Sequence, residues 1–201
     1  DVALMSAMSA AANRLLNWNA LLVDSARAEV VGDALRLSDR VSRAGGQVVA
    51  QVAADPRRFY LSFTNGFLLD TLPGWAPLFG LPPSARRAAL TDPATRQMLR
   101  AGAENPPYGD ALRGYTDWGP MTLVETDAVD SHGRGWRGRT VDEVAVGRRG
   151  DALETLLDLV VGDDLRTVFT PPPIGDDDES WTLRAATWCD PRAAWKRPFT
   201  S

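Results

Sequence analysis

The sequence predicts an α/β protein. Two apolar stretches, at 15–23 and 47–53, have the composition of buried strands, and they alternate with stretches at 3–14 and 26–44 that have helical periodicity. This alternation is typical of a parallel sheet whose faces are covered by helices. The chain has 201 residues, of which 44% are hydrophobic and 24% charged, so its composition is that of an ordinary globular domain.

The first helix rests on apolar residues that share one face: Leu4, Met5, Met8, Ala11 and Ala12. The second helix is expected to end at Gly45-Gly46, because glycine readily adopts the left-handed conformation of a C-cap. The chain opens at Asp1, without methionine, almost directly in the first helix. We therefore expect the chain to have been cut from within a larger protein.

The segment 54–120 breaks the alternation of strands and helices. It contains prolines and the turn signals Asn65-Gly66 and Pro73-Gly74, with short helices expected to open at Ser84 and at Asp92-Pro93. We interpret it as an irregular and helical insertion in a single domain that spans 1–201. A long irregular stretch in a compact domain is usually functional.

Regular elements return after residue 120. Strands are expected at 121–125 and 168–170, and a last helix at 178–188. Thr140 and Glu143 have the spacing of a capping box, and Asp151 with Glu154 has a similar one.

Composition excludes some partners and favours one compartment. A net charge of −4 gives no reason to expect nucleic acid as a partner. Cys189 is the only cysteine, so no internal disulfide is possible, which fits a reducing compartment. No apolar run is long enough to cross a bilayer. We expect a soluble, cytoplasmic protein that does not bind membranes.

Other motifs favour structural roles. His132 is the only histidine and has no metal-ligand partner nearby, so we expect it in a solvated loop. The glycines at 133–138 match Gly-x-Gly-x-x-Gly but lie away from a strand end, which argues against a nucleotide site. The arginines at 134, 137 and 139 could bind a carboxylate or phosphate, or form a solvated face. The acidic run at 176–179 is expected to cap the last helix.

Short sequence motifs, taken in order, resemble those of one enzyme family. They are NWN at 17–19, GFLLD at 66–70, LPGW at 72–75, GRTV at 138–141, DAL at 151–153, LLD at 156–158, DLRT at 164–167 and DPR at 190–192. Their order and spacing resemble the D-aminoacylase (N-acyl-D-amino-acid deacylase) branch of the amidohydrolase superfamily.

This resemblance implies part of a (β/α)8 TIM-like barrel, about strands 5 to 7 with the insertion. It also implies a metal-activated water that attacks an amide. The family's first-strand His-x-His pair and eighth-strand aspartate have no counterpart here, so we assign no catalytic residue and no metal ligand to this chain. Zinc or another divalent metal is expected only in the intact parent.

Histidines usually project from the fifth and sixth strands of such barrels, and here the corresponding positions are Asn17 or Asn19 and Gln51. Amide oxygens are weak zinc ligands. The parent's metal site could lack some of the usual ligands, these amides could contact substrate, or they could join a polar layer in the barrel. Arg58 and Asn65 could line a pocket for an acyl chain and a carboxylate, while Phe63, Phe67 and Trp75 are expected to pack the insertion.

The sequence thus predicts a fragment of a metal-dependent amidohydrolase that acts on a small-molecule N-acyl amino acid or related amide and is inactive by itself. The alternative is a non-catalytic module derived from such a barrel, which self-associates into a homo-oligomer or binds a partner through its open sheet edges. A different α/β hydrolase is a third, weaker possibility.

Overall fold

The computed structural model describes residues 2–56, 58–104, 115–148, 150–190 and 192. The chain divides into two compact units: a first unit of Asp1–Arg57 with Pro173–Ser201, and a second unit of Arg58–Pro172. Helices and strands occur in both units, so the protein is mixed α/β, and the predicted class is confirmed.

In chain order the elements are α1 (Val2–Ala12), β1 (Leu16–Leu21), a 3-10 turn (Ser25–Arg27), α2 (Ala28–Arg43), β2 (Val48–Val52), β3 (Leu61–Ser62), a 3-10 turn (Leu69–Thr71), α3 (Ala76–Phe79), α4 (Pro83–Ala89), α5 (Pro93–Glu104), β4 (Thr122–Glu125), α6 (Val141–Arg148), α7 (Ala152–Gly162), β5 (Val168–Thr170) and α8 (Asp178–Cys189). Most of these lie within a few residues of the predicted bounds.

The first unit contains a parallel strand pair joined by a helix. β1 and β2 pair in parallel, with Asn17 opposite Val49 and Asn19 opposite Gln51. Helix α2 makes the connection between them. This is the arrangement that the alternating sequence pattern predicts, and a helical crossover is how parallel neighbours are usually joined.

Helix α2 buries one stripe and ends where the glycines predict. Val31, Leu35 and Val41 are buried at helical spacing. The N–H of Gly46 donates to the carbonyl of Val41 at 3.0 Å, and Gly45 has a φ of 85°. These are the features of a Schellman motif, in which glycine adopts the left-handed conformation without a Cβ clash.

The second unit is built on a small antiparallel sheet in the order β3-β5-β4. Phe169 of β5 lies opposite Leu61 of β3 and Leu123 of β4, and all three side chains are fully buried. Trp75 and Trp118 stack in the same core with ring centroids 5.6 Å apart and an interplanar angle of 9°. The sheet and its helices thus enclose a core of their own.

The helix starts predicted in this unit are confirmed. Thr140 Oγ1 accepts from the N–H of Glu143 at 3.2 Å, and Glu143 Oε2 accepts from the N–H of Thr140 at 2.8 Å, which is a complete capping box. Asp92 and Asp151 cap α5 and α7 by accepting from backbone N–H groups three residues later. Each cap satisfies donors that a helix start leaves unpaired.

The strands that the structure describes form these two small sheets and no closed barrel. The neighbours of β5 run antiparallel, whereas strands of a (β/α)8 barrel run parallel, so the sheet of the second unit differs from the barrel pattern. Segment 54–120 holds the short strand β3 as well as a 3-10 turn and α3, α4 and α5, and the compact unit around it extends to Pro172. Its origin as an insertion stays a prediction.

Candidate functional site

Two of the residues expected to contact substrate meet on the parallel strand pair. Asn17 Nδ2 donates to Gln51 Oε1 at 3.3 Å, and both side chains are exposed. Gln51 is near the carboxyl end of β2, where α/β folds commonly place function, but Asn17 is near the amino end of β1. The backbone of Asn19 lies level with Gln51 in the strand register. The fold therefore brings all three positions together.

The chemistry of this amide pair is that of a neutral binding site. Asn and Gln side chains each carry two N–H donors and an acceptor oxygen. Their mutual bond uses one donor and one acceptor, which leaves capacity to donate to a carbonyl and to accept from an N–H of a ligand. Because amides do not titrate near neutral pH, the pair can bind and orient an amide group but cannot transfer its protons.

The donor set around this pair does not fit zinc. Zinc sites use histidine, cysteine and carboxylate ligands, usually three or four of them. Across the described residues there is no group of three or more such side chains able to hold a metal ion. We therefore assign no chemical step of this chain to a metal.

Asn65 and Arg58, the other two site residues that the sequence indicates, belong to the second unit. Asn65 Oδ1 accepts from the N–H of Phe67 at 3.1 Å, so this amide stabilises its own turn. Arg58 is exposed. Within the described residues only the oxygen of Asn65 forms a hydrogen bond, so its amide N–H donors can serve a ligand.

The aromatic side chains near Asn65 divide into a core set and an exposed set. Phe63 and Trp75 are fully buried, which confirms the expected packing role of these two. The same expectation for Phe67 is wrong: its side chain is 51% exposed, and its ring lies 6.0 Å from that of Phe59. The next residue, Leu68, has a φ of 63°, an uncommon conformation for a leucine, which turns the chain sharply at this point.

Sequence reasoning missed a buried cation in the second unit. Arg86 is 6% exposed, and its guanidinium donates to backbone carbonyl oxygens of five residues: Phe63, Thr64, Leu78, Phe79 and Leu81. Two of these carbonyls immediately precede Asn65. Arg86 followed by Arg87 has the appearance of a solvated face, so no pattern in the sequence distinguishes the buried arginine from its exposed neighbour.

A second buried arginine, Arg184 of α8, was missed for a related reason. The buried residues of this helix include Ser180, Arg184 and Thr187, which is a polar stripe. Hydrophobic periodicity detects apolar stripes, so it gives no signal for an inward face of this kind.

His132 lies in an exposed loop, as expected, and its backbone N–H donates to Asp130. The backbone N–H of Arg134, with its guanidinium and the N–H of His132, lowers the pKa of Asp130 to about 2. Arg139 pairs with Glu143 at 3.2 Å, so acidic neighbours offset two charges of the arginine cluster.

The acidic run before α8 acts as a helix cap. Asp177 Oδ1 accepts from the N–H of Ser180 at 2.7 Å, and the hydroxyl and N–H of Ser180 lower the pKa of Asp177. This confirms the capping role expected of 176–179.

Comparisons with family models, curated proteins and solved structures give no match to this chain. Over the described ranges, no helix has both the length and the apolar character needed to cross a bilayer.

Proposed function

We propose that this chain is part of an amidohydrolase-type enzyme that hydrolyses an N-acyl amide. In this proposal β1, α2 and β2 are a piece of a (β/α)8 barrel, and the exposed amides on its strands contact the substrate. The observation that carries the proposal is the hydrogen bond between Asn17 and Gln51, since it joins two positions that the family resemblance assigns to the site.

The segment around Arg192 supports the barrel part of the proposal. The carbonyl of Arg192 accepts from the N–H of Ala50 at 3.3 Å, so this residue lies at the outer edge of β2. Arg192 donates to both oxygens of Asp190, at 2.8 and 2.6 Å, and pairs with Asp39 of α2 at 3.2 Å. A bidentate arginine–carboxylate pair fixes the orientation of the two side chains. Asp190 and Asp39 thus hold Arg192 beside the strand that carries Gln51.

The role of the amides in hydrolysis would be binding and orientation. Gln51 can donate an N–H to the scissile carbonyl of an N-acyl amide, and the oxygen of Asn17 can accept from the substrate N–H. Groups that hold the reacting bond in position raise the rate because they remove the entropy cost of alignment. The resemblance assigns the proton transfers to an aspartate that has no counterpart in this chain.

The test is hydrolysis of N-acyl-D-amino acids by the protein that the complete gene encodes, supplied with zinc. Gln51→Ala should lower kcat/KM about tenfold, which is about 1.4 kcal/mol and in the range of one neutral hydrogen bond. Gln47→Ala is the matched control, because Gln47 is an exposed amide of the same unit. Absence of hydrolysis, or equal effects of the two substitutions, would refute the proposal.

One observation favours the alternative of a self-associating or partner-binding module. β1 pairs with β2 along one edge, and within the described residues its other edge has no strand partner. Leu15 beside it is 43% exposed. An open edge can pair with a strand of another molecule. A stable dimer by size exclusion with light scattering, which Leu15→Lys dissociates, would support this function; a monomer at all concentrations would exclude self-association.

A further inference from the structure

The guanidinium of Arg184 has unused hydrogen-bonding capacity inside the first unit. The residue is only 2% exposed. Its Nη2 donates to the carbonyls of Val23 at 3.2 Å and Gly175 at 2.9 Å. Its Nε and Nη1 are both buried, and neither donates to any acceptor among the described residues. Buried polar groups in folded proteins nearly always have partners, so this arrangement indicates an acceptor supplied from elsewhere.

The charge of Arg184 is also not offset within the described part of the chain. Arginine stays protonated in proteins, and burying an unpaired charge is strongly unfavourable. Three carboxylates lie on neighbouring segments but serve other donors. Asp176 accepts from Trp181 Nε1 at 3.0 Å. Asp24 accepts from the N–H of Ala26 at 3.1 Å and from Arg27 at 3.2 Å, and Asp177 caps α8. A water molecule could fill the hydrogen bonds, but only an anion offsets the charge as well.

The guanidinium is covered by a side chain that reaches solvent. Its Cζ lies 4.5 Å from the ring centroid of Trp181, which is 39% exposed. Trp181 Nε1 donates to Asp176 Oδ1 at 3.0 Å. On another side, a Cβ at Gly175 would lie 3.3 Å from Nη2, so glycine allows the loop to approach the cation closely.

We propose that Arg184 binds the carboxylate of a small organic acid, with Nη1 as the donor. A bidentate contact with a guanidinium uses either Nη1 with Nη2 or Nε with Nη2. Here Nη2 already donates to the carbonyls of Val23 and Gly175. Since Nε and Nη1 share no edge of the guanidinium, the anion accepts a single hydrogen bond from Nη1 and not a bidentate pair. Because the group is enclosed, the ligand is small. We expect a dissociation constant on the order of 1–10 mM. This site does not depend on amide hydrolysis.

The test compares sodium acetate with sodium chloride at equal ionic strength. Acetate should raise the thermal midpoint of the wild-type chain and change its tryptophan fluorescence, because Trp181 covers the site. Arg184→Gln should abolish both effects, and Arg36→Gln should keep them, since Arg36 is an exposed arginine of the same unit that pairs with Asp33. An equal acetate response in the wild type and Arg184→Gln, or no response in the wild type, would overturn the proposal.

A second measurement needs no variant. Crystals of the wild-type chain grown with acetate should show a carboxylate within hydrogen-bond distance of Nη1. Water or a protein acceptor on Nη1 would overturn the proposal. A parallel titration with N-acetyl-D-alanine identifies the source of the carboxylate. More than tenfold tighter binding than acetate assigns the site to an acyl amino acid, and similar binding assigns it to small acids in general.

Discussion

Replacement of the buried Arg86 by methionine tests how the second unit is held together. The guanidinium links the segment before Asn65 to the segment around α3, because its five acceptors are the carbonyls of 63, 64, 78, 79 and 81. It also lies 5.3 Å from the ring centroid of Phe79. Methionine has similar length and no donors, so Arg86→Met removes all five bonds with little change in packed volume.

The expected loss follows from the two hydrogen bonds that are fully buried, to Phe63 and Leu78. A buried acceptor left without its donor costs about 1–3 kcal/mol. The carbonyl of Leu78 keeps a second donor, the N–H of Leu81 at 3.2 Å, which reduces its share. Methionine also removes the cost of burying a charge. We therefore expect the free energy of unfolding of the second unit to fall by about 2–4 kcal/mol.

Urea denaturation followed by tryptophan fluorescence measures this change, since Trp75 and Trp118 lie in the core of the same unit. Arg87→Met is the control. Arg87 is the next residue of α4, its side chain is 50% exposed, and it pairs with Asp164 at 2.8 Å. A surface ion pair contributes about 0–1 kcal/mol. If the two substitutions cost the same, the buried network does not stabilise the unit as argued.

Two other predictions follow from local geometry. A Cβ at Gly102 would overlap the carbonyl oxygen of Pro73, whereas a Cβ at Gly162 would meet no neighbouring atom. Gly102→Ala should therefore lower the free energy of unfolding by about 1–3 kcal/mol, and Gly162→Ala should be neutral or stabilising. Similar thermal midpoints for the two variants would contradict this. The pKa of Asp130 is about 2 in the folded chain against an ordinary 3.8. Its hydrogen bonds with Arg134 and His132 should therefore stabilise the loop above pH 3.8, and this stabilisation should be lost as the pH falls through about 2. An NMR titration of the Asp130 carboxyl with a midpoint near 3.8 would show that these hydrogen bonds do not lower its pKa.

Local sequence signals were sufficient to predict most elements. The capping box of Thr140 and Glu143 and the glycine C-cap at 45 act over a few residues, so their outcome does not depend on the rest of the chain. The alternation of apolar strands and helices likewise predicted the parallel β1–β2 pair. The pairing of 121–125 with 168–170 was beyond such signals, because these short strands carry no information about which edge they join or in which direction.

The residues of the candidate site were indicated by two kinds of sequence signal. The sequence indicated Asn17, Asn19 and Gln51 through a family resemblance, and the strand register brings them together. Arg58 and Asn65 were indicated by the composition of their segment alone. Asn65 Oδ1 is used by its own turn, a local contact that the Asn-Gly turn signal made predictable.

The sequence by itself determined where most helices begin and end and that the chain is mixed α/β, because capping and periodicity are properties of neighbouring residues. Only the tertiary structure decided that Arg86 and Arg184 are buried, while Arg87 and Phe67 face solvent. Burial depends on what packs against a side chain from distant parts of the chain. An arginine is compatible with the interior only where carbonyl groups or an anion meet it, and those partners are brought to it by the fold.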